Sequence, residues 1–376
     1  MLNNPNLKRS TIIHIVNNHS GAAKYSSELL SQCAYSIDIN IIFVYLSDIT
    51  KHEIELFNFN NCHIFHFPEF VLLPDKNSEY NLIKVLLGIL SLYLPISEKL
   101  IVHGNGLNLS KSFAYPKRNL KYLYTLHFLS TKQKPSEIQL YNHIICVTQY
   151  AKNYIDREFN ANTKLIYNGV REVVSTENRD RVRARYGFEE DECLVLYVGR
   201  IEESKGITFL AKLFSEMGLE NARLVIVGSG AYDLVFEKIE ANHSKITFLG
   251  NIDNQEVHNL MAVCDIGVIP SLNEQCSYVA LEMMSHGMAI IASEVRGMGE
   301  LFVCKDIALT VPVDYTDDIP TLDTDVLKQH IITLAGDVGL RKRLGANARR
   351  EWAEHYTAER MARETFEVYK ELAAQF

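Results

Sequence analysis

Short apolar runs alternate with amphipathic stretches along nearly the whole chain, and this constrains the fold more than any other feature. Strands are expected at residues 11–16, 39–46, 63–67, 99–103, 121–126, 144–147 and 164–167. A second series follows at 193–198, 223–227, 246–249, 266–269, 289–292 and 308–311. Helical patterns lie between most of them, as at 22–34, 149–159, 206–217, 255–263 and 326–335. A short run that is apolar on both faces suits a strand covered on both sides, which is the condition of a parallel sheet. Strand and helix in alternation wind such a sheet right-handedly. The two series are separated near 170–190, where a charged linker at 171–191 holds a short basic helical segment at 180–186. The expected class is therefore α/β, with two Rossmann-like domains at 1–170 and 171–357. A last helix, about 358–376, is placed to cross back to the first domain. Ligands of such sheets bind outside the carboxyl ends of the strands.

A length of 376 residues, 47% of them hydrophobic, allows two buried cores. The seven cysteines are scattered, with no CxxC pair. That pattern argues for reduced thiols in a cytosol, against a disulfide framework or a zinc site. The first apolar run, Ile12 to Val16, is too short for a signal peptide, and the longest, residues 85–95, reads as a buried helix. The expected location is cytoplasmic. Residues 1–170 hold 16 Lys and Arg against 12 Asp and Glu, and the rest hold 22 against 34. The two halves thus carry opposite charge, and neither has the basic face that nucleic acid requires. Lys111, Lys117, Arg118 and Lys121, with Phe113, Tyr115 and Tyr122 between them, form a local basic patch. It reads as a solvated loop or as a weak contact for anionic lipid at the inner membrane face or for a phosphorylated acceptor.

The stretch Asp265 to Ser293, DIGVIPSLNEQCSYVALEMMSHGMAIIAS, reads as strand, loop, helix and second strand. Gly287 is placed to stop the helix. Glu274 lies in the loop before the helix and Glu282 in its second turn. Two glutamates at this spacing are common, so the pair takes its meaning from what lies between them. There the helix N-terminus offers free backbone N–H groups, which attract anions. This arrangement suits a nucleotide-sugar, with one carboxylate for sugar hydroxyls, the other for ribose hydroxyls and the helix end for a diphosphate.

Other strand ends carry candidate groups. Gly199-Arg200-Ile-Glu-Glu-Ser-Lys205-Gly206 follows the strand at 193–198. Arg200, through its fork, and Lys205, as a point charge, can neutralise a diphosphate leaving group. Gly228-Ser-Gly230 resembles the start of a dinucleotide fingerprint but lacks the third glycine, and it reads as a turn lining a nucleotide site. Gly250 follows its strand in the same way. In the first half Gly21 precedes a helix, where backbone can approach a phosphate. His103-Gly-Asn-Gly106 and His127 stand at strand ends, where a neutral imidazole can exchange a hydrogen bond with a sugar hydroxyl. Asp323-Thr-Asp325 invites a metal reading, but its place before a helix favours Asp325 or Thr324 as a cap. No metal site is expected, and no HExxH, P-loop or GxSxG pattern is present.

Taken in order, Gly199-Arg200…Lys205-Gly206, Gly228-Ser-Gly230, Phe248-Leu-Gly250, Pro270-Ser271…Glu274…Glu282 and Gly287…Ser293 resemble the retaining glycosyltransferases of family 4, which have the GT-B fold. Gly21, His127 and Tyr167-Asn-Gly-Val170 agree more loosely. The resemblance implies two Rossmann-like domains facing across a cleft. It implies no cofactor beyond a UDP- or GDP-linked sugar donor, held mainly by the C-terminal domain. By matching positions, Arg200 and Lys205 would contact the diphosphate, Glu282 the ribose, and Glu274 the donor sugar. The amides of Cys276, Ser277 and Tyr278 would serve sugar hydroxyls and phosphate. Gly21 would let its loop close on the phosphates, Gly228 and Gly250 would line the nucleotide site, and His127 would touch the sugar. The acceptor would be a glycan, lipid-linked or protein-linked. The family usually has Gly-Phe-Gly after its first glutamate, where this chain has Gln275-Cys276-Ser277, so its donor pocket is narrower and more polar. A sugar phosphorylase or glucan synthase on the same fold is a second reading, and the length argues against the larger members of those groups. A non-catalytic glycan- or partner-binding subunit is a third, against which the joint presence of Arg200, Lys205, Glu274 and Glu282 argues.

Overall fold

The computed structural model describes residues 10–16, 21–32, 40–45, 62–66, 99–105, 120–129, 138–239, 243–302, 306–316 and 320–376. The expected helix at 85–95 and the basic residues Lys111, Lys117 and Arg118 lie outside these. The chain divides into two compact units, Met1–Gly169 with Ala358–Phe376, and Val170–Thr357.

The first unit runs β1 (Ser10–Val16), α1 (Gly21–Ser31), β2 (Asn40–Tyr45), β3 (Cys62–His66), β4 (Lys99–Asn105), β5 (Leu120–Leu126), β6 (His143–Cys146), α2 (Gln149–Phe159) and β7 (Thr163–Leu165). Its strands are all parallel, in the order β3-β2-β1-β4-β5-β6-β7. Helix α2 shows how locally the elements are set. Thr148 accepts the Ala151 N–H and caps it, Ala151, Ile155 and Phe159 recur at intervals of four and are buried, and Asn160 in the left-handed region ends it.

The second unit runs α3 (Arg179–Tyr186), β8 (Cys193–Val198), α4 (Ile207–Met217), β9 (Ala222–Val227), α5 (Asp233–Phe236), β10 (Ile246–Gly250), α6 (Asn254–Val263), β11 (Ile266–Ile269), α7 (Tyr278–Ser285), β12 (Ala289–Ser293) and β13 (Ala308–Val311). A short antiparallel pair, β14 (Val313–Asp314) and β15 (Thr321–Leu322), precedes α8 (Thr324–Gly336) and α9 (Val338–His355). The parallel sheet has the order β10-β9-β8-β11-β12-β13. Both sheets therefore reverse direction at the equivalent place, between β1 and β4 and between β8 and β11. That reversal is where α/β sheets hold their ligands. Every strand expected from the apolar alternation is present, with ends shifted by at most two residues. The β14–β15 pair was not expected, because two-residue strands carry no readable period.

The last helix, α10 (Ala358–Ala374), returns to the first unit. Its Thr365 and Tyr25 hydroxyls are 2.9 Å apart, and its Tyr369 hydroxyl is 2.7 Å from His103 Nδ1 on β4. Among the described residues no helix is long and apolar enough to cross a membrane.

Beneath α1 and α10 the first sheet buries polar side chains. His14 and His103 are both 0% exposed, with their Nδ1 atoms 3.1 Å apart. His14 Nε2 is 3.0 Å from Ser26 Oγ, and His103 Nε2 is 2.7 Å from Thr125 Oγ1. Burial, with a smaller contribution from His127, lowers the His14 pKa to about 3. Burial first, then the neighbouring His14 and His127, lowers that of His103 well below the ordinary value. A native state that keeps both rings neutral loses stability as pH falls below about 6.5, where the unfolded chain takes up protons that the fold refuses. Each ring contributes up to about 1.4 kcal/mol per pH unit in that window. The urea midpoint should therefore fall between pH 6.5 and 4.5, and a His14→Gln variant should show a flatter profile. Equal slopes for the two proteins would show that His14 is not held neutral.

Candidate functional site

Three loops at the carboxyl edge of the second sheet lie against one another, backbone on backbone. The loop after β8 leads through a single 3₁₀ turn, Glu203–Lys205, into α4. Gly206 joins them at φ +65°, where a Cβ would lie 1.9 Å from the carbonyl oxygen of Pro270, the residue that follows β11. The Leu272 N–H donates to Ser204 O at 2.8 Å, so the loop after β11 is tied to the same turn. The loop after β9 approaches as closely, for a Cβ on Gly228 would lie 1.8 Å from Gly199 O. Gly228 N donates to Gly250 O at 2.8 Å, which brings in the end of β10. These glycines stand where any side chain would push the loops apart.

The loops place charges. Lys205 Nζ lies 2.6 Å from Glu274 Oε2, with 19% and 22% of the two side chains exposed. The backbone of Glu274 makes an isolated parallel bridge to Gly297, which stands at φ +98°. Arg200 points elsewhere: its guanidinium is 2.7 Å from Glu202 Oε2 and largely exposed. Glu202, not singled out from the sequence, also accepts from Ser204 Oγ at 2.6 Å. Gln275, Cys276 and Ser277 are buried and lead into α7, whose N-cap is Ser277, accepting the Ala280 N–H at 3.3 Å. Tyr278, the first helical residue, is partly buried, and Glu282 is 7% exposed on α7, beneath the surface of the unit. Gly287, at φ +66°, follows the helix as expected.

In the first unit Gly21 opens α1. His127 follows β5, hydrogen-bonds through Nε2 to Asn105 Oδ1, and sits edge-on to Tyr25 with ring centroids 5.1 Å apart. Burial lowers its pKa to about 3, so the ring is neutral at physiological pH. His103 is not on the rim with it but wholly buried on β4. Asn105, the last residue of β4, belongs to no motif that marks it. Its signal lies in the strand order, because it ends a strand beside the reversal, which the sequence does not display. The structure corrects a second reading: Asp323, and neither Thr324 nor Asp325, caps α8, accepting from Asp325 N at 3.1 Å and Val326 N at 3.0 Å. Of the basic patch, Lys121 bonds Gln375 Oε1 at 3.0 Å.

Comparison with known proteins bears on the family and the fold. Residues 178–351 match the family described as glycosyl transferases group 1. An uncharacterized glycosyltransferase of Methanocaldococcus jannaschii is 30% identical over 264 residues, which are 66% of this chain and 63% of that relative's length. Sucrose-phosphate synthase from Thermosynechococcus elongatus superposes with a TM-score of 0.77 at 18% identity, covering 98% of this chain and 100% of that one. An Anabaena protein solved in complex with UDP-glucose gives a TM-score of 0.74 at 17% identity, over 96% and 99% of the two chains. The fold is of the GT-B class, with a parallel Rossmann-like sheet in each unit and a C-terminal helix that returns to the first.

The close approach at Gly206 can be weighed by substitution. Gly218 has nearly the same φ, +60°, but open space around its missing Cβ. Gly218→Ala should cost about 1 kcal/mol, the conformational penalty alone. Gly206→Ala should cost about 2 kcal/mol more, because the Pro270 backbone must also move. Equal denaturant midpoints for the two variants would show that the loops adjust freely.

Proposed function

We propose that this chain is a glycosyltransferase that moves a sugar from a nucleoside-diphosphate sugar to a glycan, lipid-linked or protein-linked acceptor, with retention of anomeric configuration and without a metal ion. The observation that carries the reading is the Lys205–Glu274 ion pair, set at the carboxyl ends of β8 and β11 where the sheet order reverses. It stands beside the N-terminus of α7, an anion-binding element. The matched family supports the glycosyltransferase class, and the related fold solved with UDP-glucose favours UDP over GDP as the carrier.

The chemistry follows from the charges. A lysine ammonium has three donors, so Lys205 can keep its bond to Glu274 and still reach a phosphate oxygen. Arg200, exposed at the head of the same loop, adds a second cation once it leaves Glu202. In the reaction the bond from the anomeric carbon to the phosphate oxygen breaks, and its electron pair stays on the diphosphate. The acceptor hydroxyl oxygen bonds to the same face of that carbon, and its proton passes to the departing phosphate oxygen. Fixed cations and helix dipoles aimed at the leaving group lower the barrier, because charge grows there in the transition state. Glu274 is assigned to sugar hydroxyls and Glu282 to the ribose, with the amides from Cys276 to Tyr278 serving phosphate and sugar. Gly228 and Gly250 line the nucleotide. In the first unit, the Gly21 turn is assigned to phosphate and His127 to a sugar hydroxyl.

UDP and GDP titrations followed by thermal melting test the binding step. At a nucleotide concentration 100 times Kd the stabilisation should be about 2.7 kcal/mol. Lys205→Ala should reduce it and should slow donor turnover about a hundredfold. If no nucleoside diphosphate raises the melting temperature, the reading fails. Binding without any turnover in a screen of sugar donors would favour a non-catalytic subunit. EDTA should leave turnover intact, and a loss on chelation would require a metal-assisted reaction.

A further inference from the structure

The first unit holds a chain of hydrogen bonds that ends on His127. Asn105 Nδ2 donates to Ser26 Oγ at 2.5 Å, and Ser26 Oγ lies 3.0 Å from His14 Nε2. All three side chains are fully buried. The other half of the Asn105 amide, Oδ1, bonds His127 Nε2. An amide has one donor end and one acceptor end. With Nδ2 committed to the serine, Oδ1 can only accept, and His127 must then carry its proton on Nε2.

We propose that Asn105 is a positioning residue that locks His127 in the Nε2–H tautomer, so that Nδ1 is left as a hydrogen-bond acceptor. A hydroxyl-bearing ligand at the carboxyl end of β5 would donate its proton to that nitrogen. A phosphate or carboxylate, which can only accept, would be turned away. The selection for a sugar hydroxyl rests on the proposed function, whereas the tautomer does not.

The arrangement around the amide brings these groups together. Asn105 ends β4 in register with Thr125, the penultimate residue of β5. His127 follows that strand directly, so the two side chains meet at adjoining strand ends. Tyr25 holds the other side of the imidazole, edge-on at 5.1 Å. The serine belongs to α1, so the amide is gripped from the helix as well as from the sheet. With the amide turned over, Oδ1 would face the serine and Nδ2 would face the imidazole, which would then carry its proton on Nδ1. The two states differ in a directly observable quantity.

The test is nuclear magnetic resonance on the full chain labelled with ¹⁵N-histidine at pH 7.5, with the His127 signals assigned by their loss in His127→Gln. The expected pattern is that of a neutral ring protonated at Nε2. Asn105→Asp retains an acceptor and should retain the pattern, whereas Asn105→Leu should lose it to a mixture of tautomers. Ser26→Ala, which frees the amide to turn, should give the same mixture and stands in if Asn105→Leu fails to fold. A wild-type ring protonated at Nδ1 would overturn the proposal, as would an unchanged tautomer in both Asn105→Leu and Ser26→Ala. In turnover of a UDP-sugar, Asn105→Leu should lower kcat tenfold to a hundredfold with the KM for donor little changed, and Asn105→Asp should recover part of it. Unchanged kcat in Asn105→Leu would overturn the positioning role. A wild-type chain that turns over no donor yet shows the expected tautomers would count against the glycosyltransferase reading and leave the tautomer lock standing.

Discussion

The second unit depends on how closely its strand-end loops can approach. A Cβ at Gly206 or Gly228 would lie within 2 Å of a carbonyl oxygen in the next loop. With glycine at those places, Leu272 N reaches Ser204 O, and Lys205 comes within 2.6 Å of Glu274. The two charged residues are 69 positions apart in sequence. Something has to bring loops so distant in sequence together. The backbone contact does that, and the ion pair is its consequence. Partly exposed pairs of this kind add little to stability, so the arrangement is better explained by what the charges can bind.

The pair also sets the electrostatics of these loop ends. An unpaired, partly buried ammonium would lose hydration without compensation. Glu274 supplies that compensation and fixes where the ammonium stands. Under the proposed function a diphosphate would bring more negative charge than one lysine can balance, and Arg200, exposed and 2.7 Å from Glu202, would be the second cation. Gly297 enters through the backbone, since a side chain there would press on Glu274 O at 2.9 Å and on Gln275 Cα at 3.0 Å.

How much of this was legible beforehand differs between fold and site. Strand positions were readable because both faces of each strand are covered, which writes an apolar run into the sequence. Val195 and Leu196 on β8 and Ile290 and Ile291 on β12 are all 0% exposed, a pattern that needs no partner to be recognised. The order of the strands was not readable, because parallel pairing leaves no mark on the runs themselves. Thus Lys205 and Glu274 could be named one by one, but their pairing could not. The Asp323 cap shows the same limit at short range: three adjacent residues could each cap α8, and only backbone geometry decides. Asn105 was hidden for a related reason, since its meaning comes from β5 lying beside β4.

The first unit reaches its geometry by the opposite means. Where the second sheet removes side chains so that backbones touch, the first fills the space between strands and helices with hydroxyls, imidazoles and an amide. Such a network specifies one arrangement only if every member is satisfied, and a lost member leaves a buried polar group that costs about 1–3 kcal/mol. That accounts for the place of α10. Tyr369 reaches His103, and Thr365 reaches Tyr25, whose ring packs against His127. The final helix therefore closes the same set of bonds that begins on β1 and ends at the rim. A chain that left the first unit after β7 and did not return would leave His103 without its tyrosine and Tyr25 without its threonine. The return of the C-terminus is thus a requirement of the polar core, and through Tyr25 it bears on the imidazole at the edge of the sheet.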